Sequence, residues 1–219
     1  MRFTLISASI LLAATRVYSR GTLGFALGTK NADGSCKQIS DYEADFDAIQ
    51  TNTGSTLVRG YAASDCNSGQ NMLAAAQTKG FKVVLGIWPD TDDSFNQDKL
   101  AVATYAPKYP DQVYAVTVGS ETLYRGTFTG EQLLSKINDV KSIVPNVKVG
   151  TADSYNKYAD GTADALIKGG VQLLMANAFP YWQGKIIGAG ATETYFSDIQ
   201  QALGYVALRM WRDLLLEHH

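Results

Sequence analysis

The chain has 219 residues, of which 46% are hydrophobic, 18% charged and 11% aromatic, and its formal net charge is −2. Such a composition belongs to a globular domain with a sizeable core and excludes a disordered chain, a collagen-like repeat and a disulfide scaffold. With no cluster of Lys and Arg, a nucleic-acid partner is not expected. The histidines, His218 and His219, are the last two residues, so any Ser-His-Asp or Cys-His nucleophile and any histidine-held zinc are excluded, and catalysis would fall to carboxylates, hydroxyls or Lys.

Residues 1–19 read as a secretory leader. Arg2 supplies a positive start, Leu5–Ala14 is an apolar run, and cleavage is expected after Ser19. The run is well short of the ~20 apolar residues that span a bilayer, so no membrane association is expected once the leader is removed. Secretion puts Cys36 and Cys66 in an oxidising compartment. They read either as one disulfide or as two buried thiols. No Asn-x-Ser/Thr acceptor for N-glycosylation occurs.

Six short apolar runs follow, with starts 24 to 34 residues apart. Leu23–Gly28 is the first. Thr56–Tyr61 is the second and leads into Asp65 and Cys66, where Asp65 is a candidate acceptor for ligand hydroxyls or a plain loop acid. Asn71–Lys79 reads as a helix ended by Gly80. Lys82–Trp88 is the third strand, and Asp90, Asp92 and Asp93 behind it form an acidic loop, read first as solvated and otherwise as a calcium or sugar contact. Val113–Gly119 is the fourth strand. Directly past it stand Ser120 and Glu121, with Tyr124 and Arg125 beyond. A carboxyl at a rigid strand end under a partly apolar pocket can act as a general acid; the plainer alternative is a surface Glu in a turn.

Thr129–Val144 carries Leu133, Leu134, Ile137, Val140 and Ile143 at helical spacing and stops before Pro145. Val147–Asp153 is the fifth strand and Val171–Ala178 the sixth. The sixth runs into Asn177-Ala178-Phe179-Pro180-Tyr181-Trp182-Gln183, which joins amides to rings that stack on sugar faces, or else packs a barrel rim. Tyr105, Tyr109, Tyr114, Tyr155 and Tyr158 are assigned to packing or surface. Thr192–Leu216 has one long amphipathic pattern and is a candidate cover for one sheet edge.

Strands alternating with helices at this period indicate βαβ units and a parallel sheet, either doubly wound or closed as a (β/α)8 barrel. The polar and aromatic residues at the strand ends favour the barrel, whose site lies on the C-terminal face. Nothing follows a strand in the Gly-rich manner of a nucleotide site, and no cofactor or metal is expected. The expected fold is therefore α/β, of (β/α)8 TIM-barrel type, shortened to about six βα units.

At these positions the chain resembles glycoside hydrolase family 17, in particular the fungal cell-wall branch of glucan 1,3-β-glucosidases and β-1,3-glucanosyltransferases. The resemblance covers roughly residues 20–203. It runs through Gly28-Thr29-Lys30-Asn31-Ala32-Asp33-Gly34-Ser35-Cys36-Lys37, Tyr61-Ala62-Ala63-Ser64-Asp65-Cys66-Asn67, Gly86-Ile87-Trp88-Pro89, Val118-Gly119-Ser120-Glu121-Thr122-Leu123-Tyr124-Arg125, Lys136-Ile137-Asn138-Asp139-Val140 and Met175-Ala176-Asn177-Ala178-Phe179-Pro180-Tyr181-Trp182-Gln183.

What the resemblance implies is a retaining double displacement on cell-wall β-1,3-glucan, with Glu121 as acid/base. Ser120 would stand where the wider clan has an Asn touching the sugar 2-hydroxyl. Asn177, Tyr181 and Trp182 would line the sixth-strand side of the cleft, with Tyr61, Asp65 and Tyr124 as further substrate contacts. Cys36 and Cys66 match cysteines of the fungal branch.

One departure is large: the family's Gly-Glu-Thr-Gly-Trp-Pro type segment, which carries the nucleophile, does not occur. After Leu203 the likeness stops, and the glutamates past strand six, Glu193 and Glu217, follow no strand. The expected organisation is a leader at 1–19, an incomplete barrel domain at 20–203 and a divergent helical tail at 204–219. A shortened or misread reading frame is the expected cause, ahead of a degenerate paralogue. Three outcomes follow for the chain: a secreted glucan hydrolase or transferase with impaired turnover, a glucan-binding remnant, or a chain that does not fold stably because two sheet edges stay open.

Overall fold

The computed structural model describes residues 22–216. Six parallel strands lie side by side in chain order: β1 (Phe25–Ala26), β2 (Leu57–Arg59), β3 (Lys82–Ile87), β4 (Val113–Ser120), β5 (Val149–Ser154) and β6 (Leu173–Asn177). Every strand pairs with its sequence neighbour, and the order never reverses. A doubly wound sheet reverses its order at a switch point. This sheet is wound one way, as in a barrel, and forms a curled half-barrel with helices. All six lie where the apolar runs place them, though β1 and β2 keep only two and three paired residues.

The helices between the strands are α1 (Ile39–Thr53), α2 (Ser68–Lys79), α3 (Asp92–Tyr105) and α4 (Gly130–Ile143), then short α5 (Tyr155–Ala159) and α6 (Asp164–Lys168), and finally α7 (Ala189–Leu216). Their ends follow local chemistry. The Thr129 hydroxyl accepts from the Gln132 N–H at 3.3 Å while the Gln132 side chain accepts from the Thr129 N–H at 2.8 Å, so α4 begins in a reciprocal cap. α2 ends on Gly80 at φ 71°, as the left-handed C-terminal position requires.

One strand face packs on the helices. Val83, Leu85 and Ile87 of β3, Val116 and Val118 of β4 and Val149 of β5 join Phe46, Leu73, Leu133 and Ile137 in one buried cluster. Phe46 stacks on Phe81 at 4.4 Å between ring centres. Each such side chain contributes roughly 1.5–3 kcal/mol by leaving water. The other strand face is small, with Gly86, Ala115, Thr117, Gly150 and Ala152. Small residues let the sheet curl tightly. A Cβ on Gly86 would stand 2.4 Å from the Tyr61 carbonyl, and one on Gly150 would stand 1.8 Å from the Leu173 oxygen.

β1 and β6 are the terminal strands of the sheet. α7 packs against α5 and α6, and its Ile199, Ala202 and Val206 share an apolar groove with Leu174 and Ala176 of β6. Tyr205 donates to Asp164 at 3.0 Å and Arg209 pairs with the same carboxylate at 2.7 Å. The helix is continuous from Ala189 to Leu216, so the amphipathic stretch forms one element with the segment before residue 204. No helix among the described residues is long and apolar enough to cross a membrane. The expected leader at 1–19, Glu217, His218 and His219 lie outside the described residues.

Cys36 and Cys66 form a disulfide with a Cα–Cα separation of 5.3 Å, across 30 residues. It ties the loop after β1 to the loop after β2. Converting both cysteines to Ser is expected to lower stability by about 3–4 kcal/mol on the loop-closure estimate. Urea unfolding of the oxidised chain and the double variant measures this, and a difference below about 1 kcal/mol would mean that the two loops hold each other without the bond.

Candidate active site

The C-terminal ends of β4, β5 and β6 enclose a hollow of about 430 Å³. Glu121 and Tyr124 form one wall, Tyr155 and Asn156 a second, and Asn177, Phe179, Trp182 and Gln183 the third. Asn177, the last residue of β6, donates through Nδ2 to Glu121 Oε1 at 2.9 Å. The sequence holds these two residues 56 positions apart, and the register of parallel strands brings them together.

Glu121 owes its direction to an unusual backbone. Gly119 sits at φ 82° and Glu121 itself at φ 57°, a left-handed conformation that costs a non-glycine residue of order 1 kcal/mol or more and persists where surrounding structure enforces it. The enforcement is visible. The Glu121 N–H donates to the Ala152 carbonyl at 2.9 Å. Asp153, at the end of β5, accepts from the N–H groups of Leu123 at 2.8 Å, Tyr124 at 3.0 Å and Ser154 at 2.8 Å. Arg125 forks onto Asp90 at 2.6 and 3.0 Å, donates to the Ser120 carbonyl, and lies over the Trp88 ring at 5.2 Å.

Two further buried carboxylates brace the rim. Asp98, on α3, accepts from the Ser64 N–H and the Trp88 N–H, each at 2.7 Å, and so joins the loops after β2 and β3. Asp198, on α7, accepts from Gln183 Nε2 at 2.6 Å. Burial, and then the facing Asp198 carboxylate, push the Tyr155 phenol above its ordinary range.

Burial also raises Asp98 and Asp153 above the usual aspartate range, outweighing the N–H groups that pull the other way. A carboxyl whose folded value is raised binds its proton more tightly folded than unfolded. Its share of stability is complete below the unfolded value near 3.8 and is lost as pH rises through the folded one. The melting temperature is therefore expected to be higher at about pH 4 than at about pH 8, with the difference reduced in Asp98→Asn. A pH-independent melting temperature would mean that these groups are solvated.

Of the residues marked from sequence, the hollow gathers Glu121, Tyr124, Asn177 and Trp182. Ser120 lies at the end of β4, half-buried, and offers its carbonyl to Arg125. Tyr61 stands on the β2 rim beneath the Arg59 guanidinium at 4.7 Å, and Asp65 accepts from the Thr29 hydroxyl at 2.5 Å. Tyr181 is 75% exposed and meets the Trp182 ring edge-on at 4.9 Å. In the acidic loop, Asp90 is held by Arg125 and Asp93 accepts from Gln97. Among the described residues no group of three or more His, Cys, Asp or Glu side chains is placed to hold a metal ion.

Ser154, Asn156, Asp98 and Asp198 were not singled out by the sequence, and Tyr155, assigned there to packing or surface, instead lines the hollow because the chain turns at the end of β5 and carries it onto the rim. Ser154 is the last residue of β5 and Tyr155 and Asn156 open α5, so reading the chain three residues past Asp153 reaches all three. Asp98 and Asp198 sit at helix positions that look solvated until the loops fold over them.

The chain matches a family described as the BtgE/BtgC glycoside hydrolase domain over residues 24–207. It is 51% identical over 208 residues to a glucan 1,3-beta-glucosidase of Arthroderma benhamiae, covering 94% of this chain and 67% of the relative. A Saccharomyces cerevisiae protein of the same name is 42% identical, with 93% and 69% covered. Among solved structures, the Rhizomucor miehei beta-1,3-glucanosyltransferase, captured as an active-site mutant with laminaritriose, superposes with a TM-score of 0.74 at 33% identity. That superposition covers 85% of this chain and 67% of the other. The chain thus spans about two thirds of the length of these relatives.

Proposed function

The chain belongs to the BtgE/BtgC glycoside hydrolase domain family, and from that premise we propose that its cleft binds β-1,3-glucan and that Glu121 is the proton donor of a retaining displacement. One observation carries this reading: the Asn177 amide holds Glu121 Oε1 at 2.9 Å at the open end of β4, on a backbone that only specific support maintains. The family resemblance of Ser120, Tyr124, Asn177 and Trp182 supports their role as substrate contacts. Tyr61 and Asp65 then meet glucose units further along the rim, over the β2 end, and Tyr181 meets them from the exposed side of Trp182.

In a retaining displacement one carboxyl protonates the leaving glycosidic oxygen while a second, about 5 Å away, attacks the anomeric carbon. Among the described residues lining the hollow, Glu121 is the one glutamate. Asp153 gives its oxygens to backbone N–H groups. These residues therefore supply the binding surface and the proton, and turnover by them alone is impaired. The leader-like start and the disulfide support a secreted protein acting at a glucan-rich cell wall.

An added anion tests the division of labour. With azide present, attack on the anomeric carbon from the face opposite the leaving oxygen forms a C–N bond as the C–O bond breaks. The leaving oxygen takes the Glu121 proton. A laminari-oligosaccharide is expected to give an α-glycosyl azide, visible by mass spectrometry and NMR. Shorter products without azide would mean hydrolysis by an intact site, and longer ones glucanosyl transfer. Binding with no product under either condition would leave glucan recognition without chemistry.

A further inference from the structure

The cleft does not end at Gln183. Gln183 and Tyr155 also line a second hollow of about 390 Å³, between the loop after β6 and α7. Asp198 stands at the junction. It is 3% exposed, receives the Gln183 amide at 2.6 Å and faces the Tyr155 phenol. Beyond it the walls are Lys185, Glu193 and Ser197, all polar and all at the surface.

The chemistry of these groups selects a ligand rich in hydroxyls. Gln183 uses one amide hydrogen on Asp198, which leaves its carbonyl oxygen and second hydrogen for a ligand. The Tyr155 hydroxyl, facing Asp198, can both donate and accept. Glu193 accepts, Lys185 donates, and Ser197 does both. A few fixed polar groups of this kind orient a ligand, and here the fixing comes from a buried carboxylate on another element. An apolar or polyanionic ligand would gain little from this mixture.

We propose that this hollow is a further sugar position, contiguous with the cleft, which takes the outlying glucose units of a longer β-1,3-glucan, with Asp198 as the positioning residue that aligns Gln183 and Tyr155. The inference rests on the reading that the cleft takes β-1,3-glucan. It gives α7 a part in substrate length selection.

Calorimetric titration of the Glu121→Gln chain with laminaribiose, laminaritetraose and laminarihexaose separates the two claims. Affinity is expected to rise with length. The exposed double change Glu193→Ala with Ser197→Ala should weaken the hexaose roughly tenfold and leave the biose unmoved, as for loss of hydrogen bonds to a charged group and a hydroxyl. Asp198→Asn keeps the volume and should show the same length dependence, with its melting temperature recorded alongside. Equal affinity for all lengths, or equal weakening of all lengths in the variants, would overturn the extended position while glucan binding stands. No binding of any oligosaccharide would overturn both.

Discussion

Glu121→Gln is expected to slow azide-supported cleavage of a laminari-oligosaccharide by about 10²–10⁴-fold, the usual contribution of a positioned proton donor. The substitution preserves size, and the Gln oxygen can still accept from Asn177, so oligosaccharide affinity should stay close to that of the parent chain. Only the transferable proton is removed. A sugar leaving group departs as a strongly basic alkoxide unless protonated. A dinitrophenyl leaving group needs no proton, and its glycoside should therefore react with azide at nearly equal rates in both proteins. That contrast separates acid catalysis from a loss of structure. If the variant cleaves the natural linkage at the parent rate, the proton comes from another group and Glu121 is a bracing residue.

Asp153→Ala is expected to cost roughly 3 kcal/mol or more, because it leaves three N–H groups without their acceptor, the buried Leu123 N–H among them, and each unsatisfied donor costs about 1–3 kcal/mol. That is a large fraction of the roughly 5–15 kcal/mol that holds an ordinary domain together. Asp153→Asn is the companion that keeps the chain folded. It retains one acceptor oxygen and removes the charge, and should cost well under half as much. Both should loosen the turn that carries Glu121, since Leu123 and Tyr124 are tethered at 2.8 and 3.0 Å. Urea unfolding gives the energies. A cost below about 1 kcal/mol for the Ala variant would show that the left-handed turn is self-supporting.

Much of the architecture was written in local pattern. The 24- to 34-residue spacing of β-branched runs located all six strands, and Gly80 and Thr129 marked helix limits that the backbone adopts. Glu121 stood out because it follows an apolar strand, and Asn177 because it ends another. Their mutual bond was not legible. It depends on the register between β4, β5 and β6, which no local pattern encodes. α1 and α3 lack a strong apolar stripe, and their place became plain only with Phe46 and Phe95 buried against neighbouring elements. The bracing acids were hidden for a different reason. Asp98 and Asp198 look like ordinary polar helix residues, and their burial is a property of the loops that close over them. The amphipathic stretch from 192 onward was legible as a helix, but its attachment through Tyr205, Arg209 and Asp164 is a tertiary fact.

The unreversed strand order bears on how the molecule is made. Each strand pairs with the one synthesised just before it, so every docking step closes a span of a few dozen residues and none waits for a distant segment. Chain-closure entropy grows with span and slows folds built on remote pairing. Here assembly can follow emergence from the ribosome, one strand–helix unit at a time. The Cys36–Cys66 link joins the first two units and can lock once both units have docked. Glu121 and Asn177 are brought together only when β6 docks, so the candidate site is completed late, on a scaffold already in place.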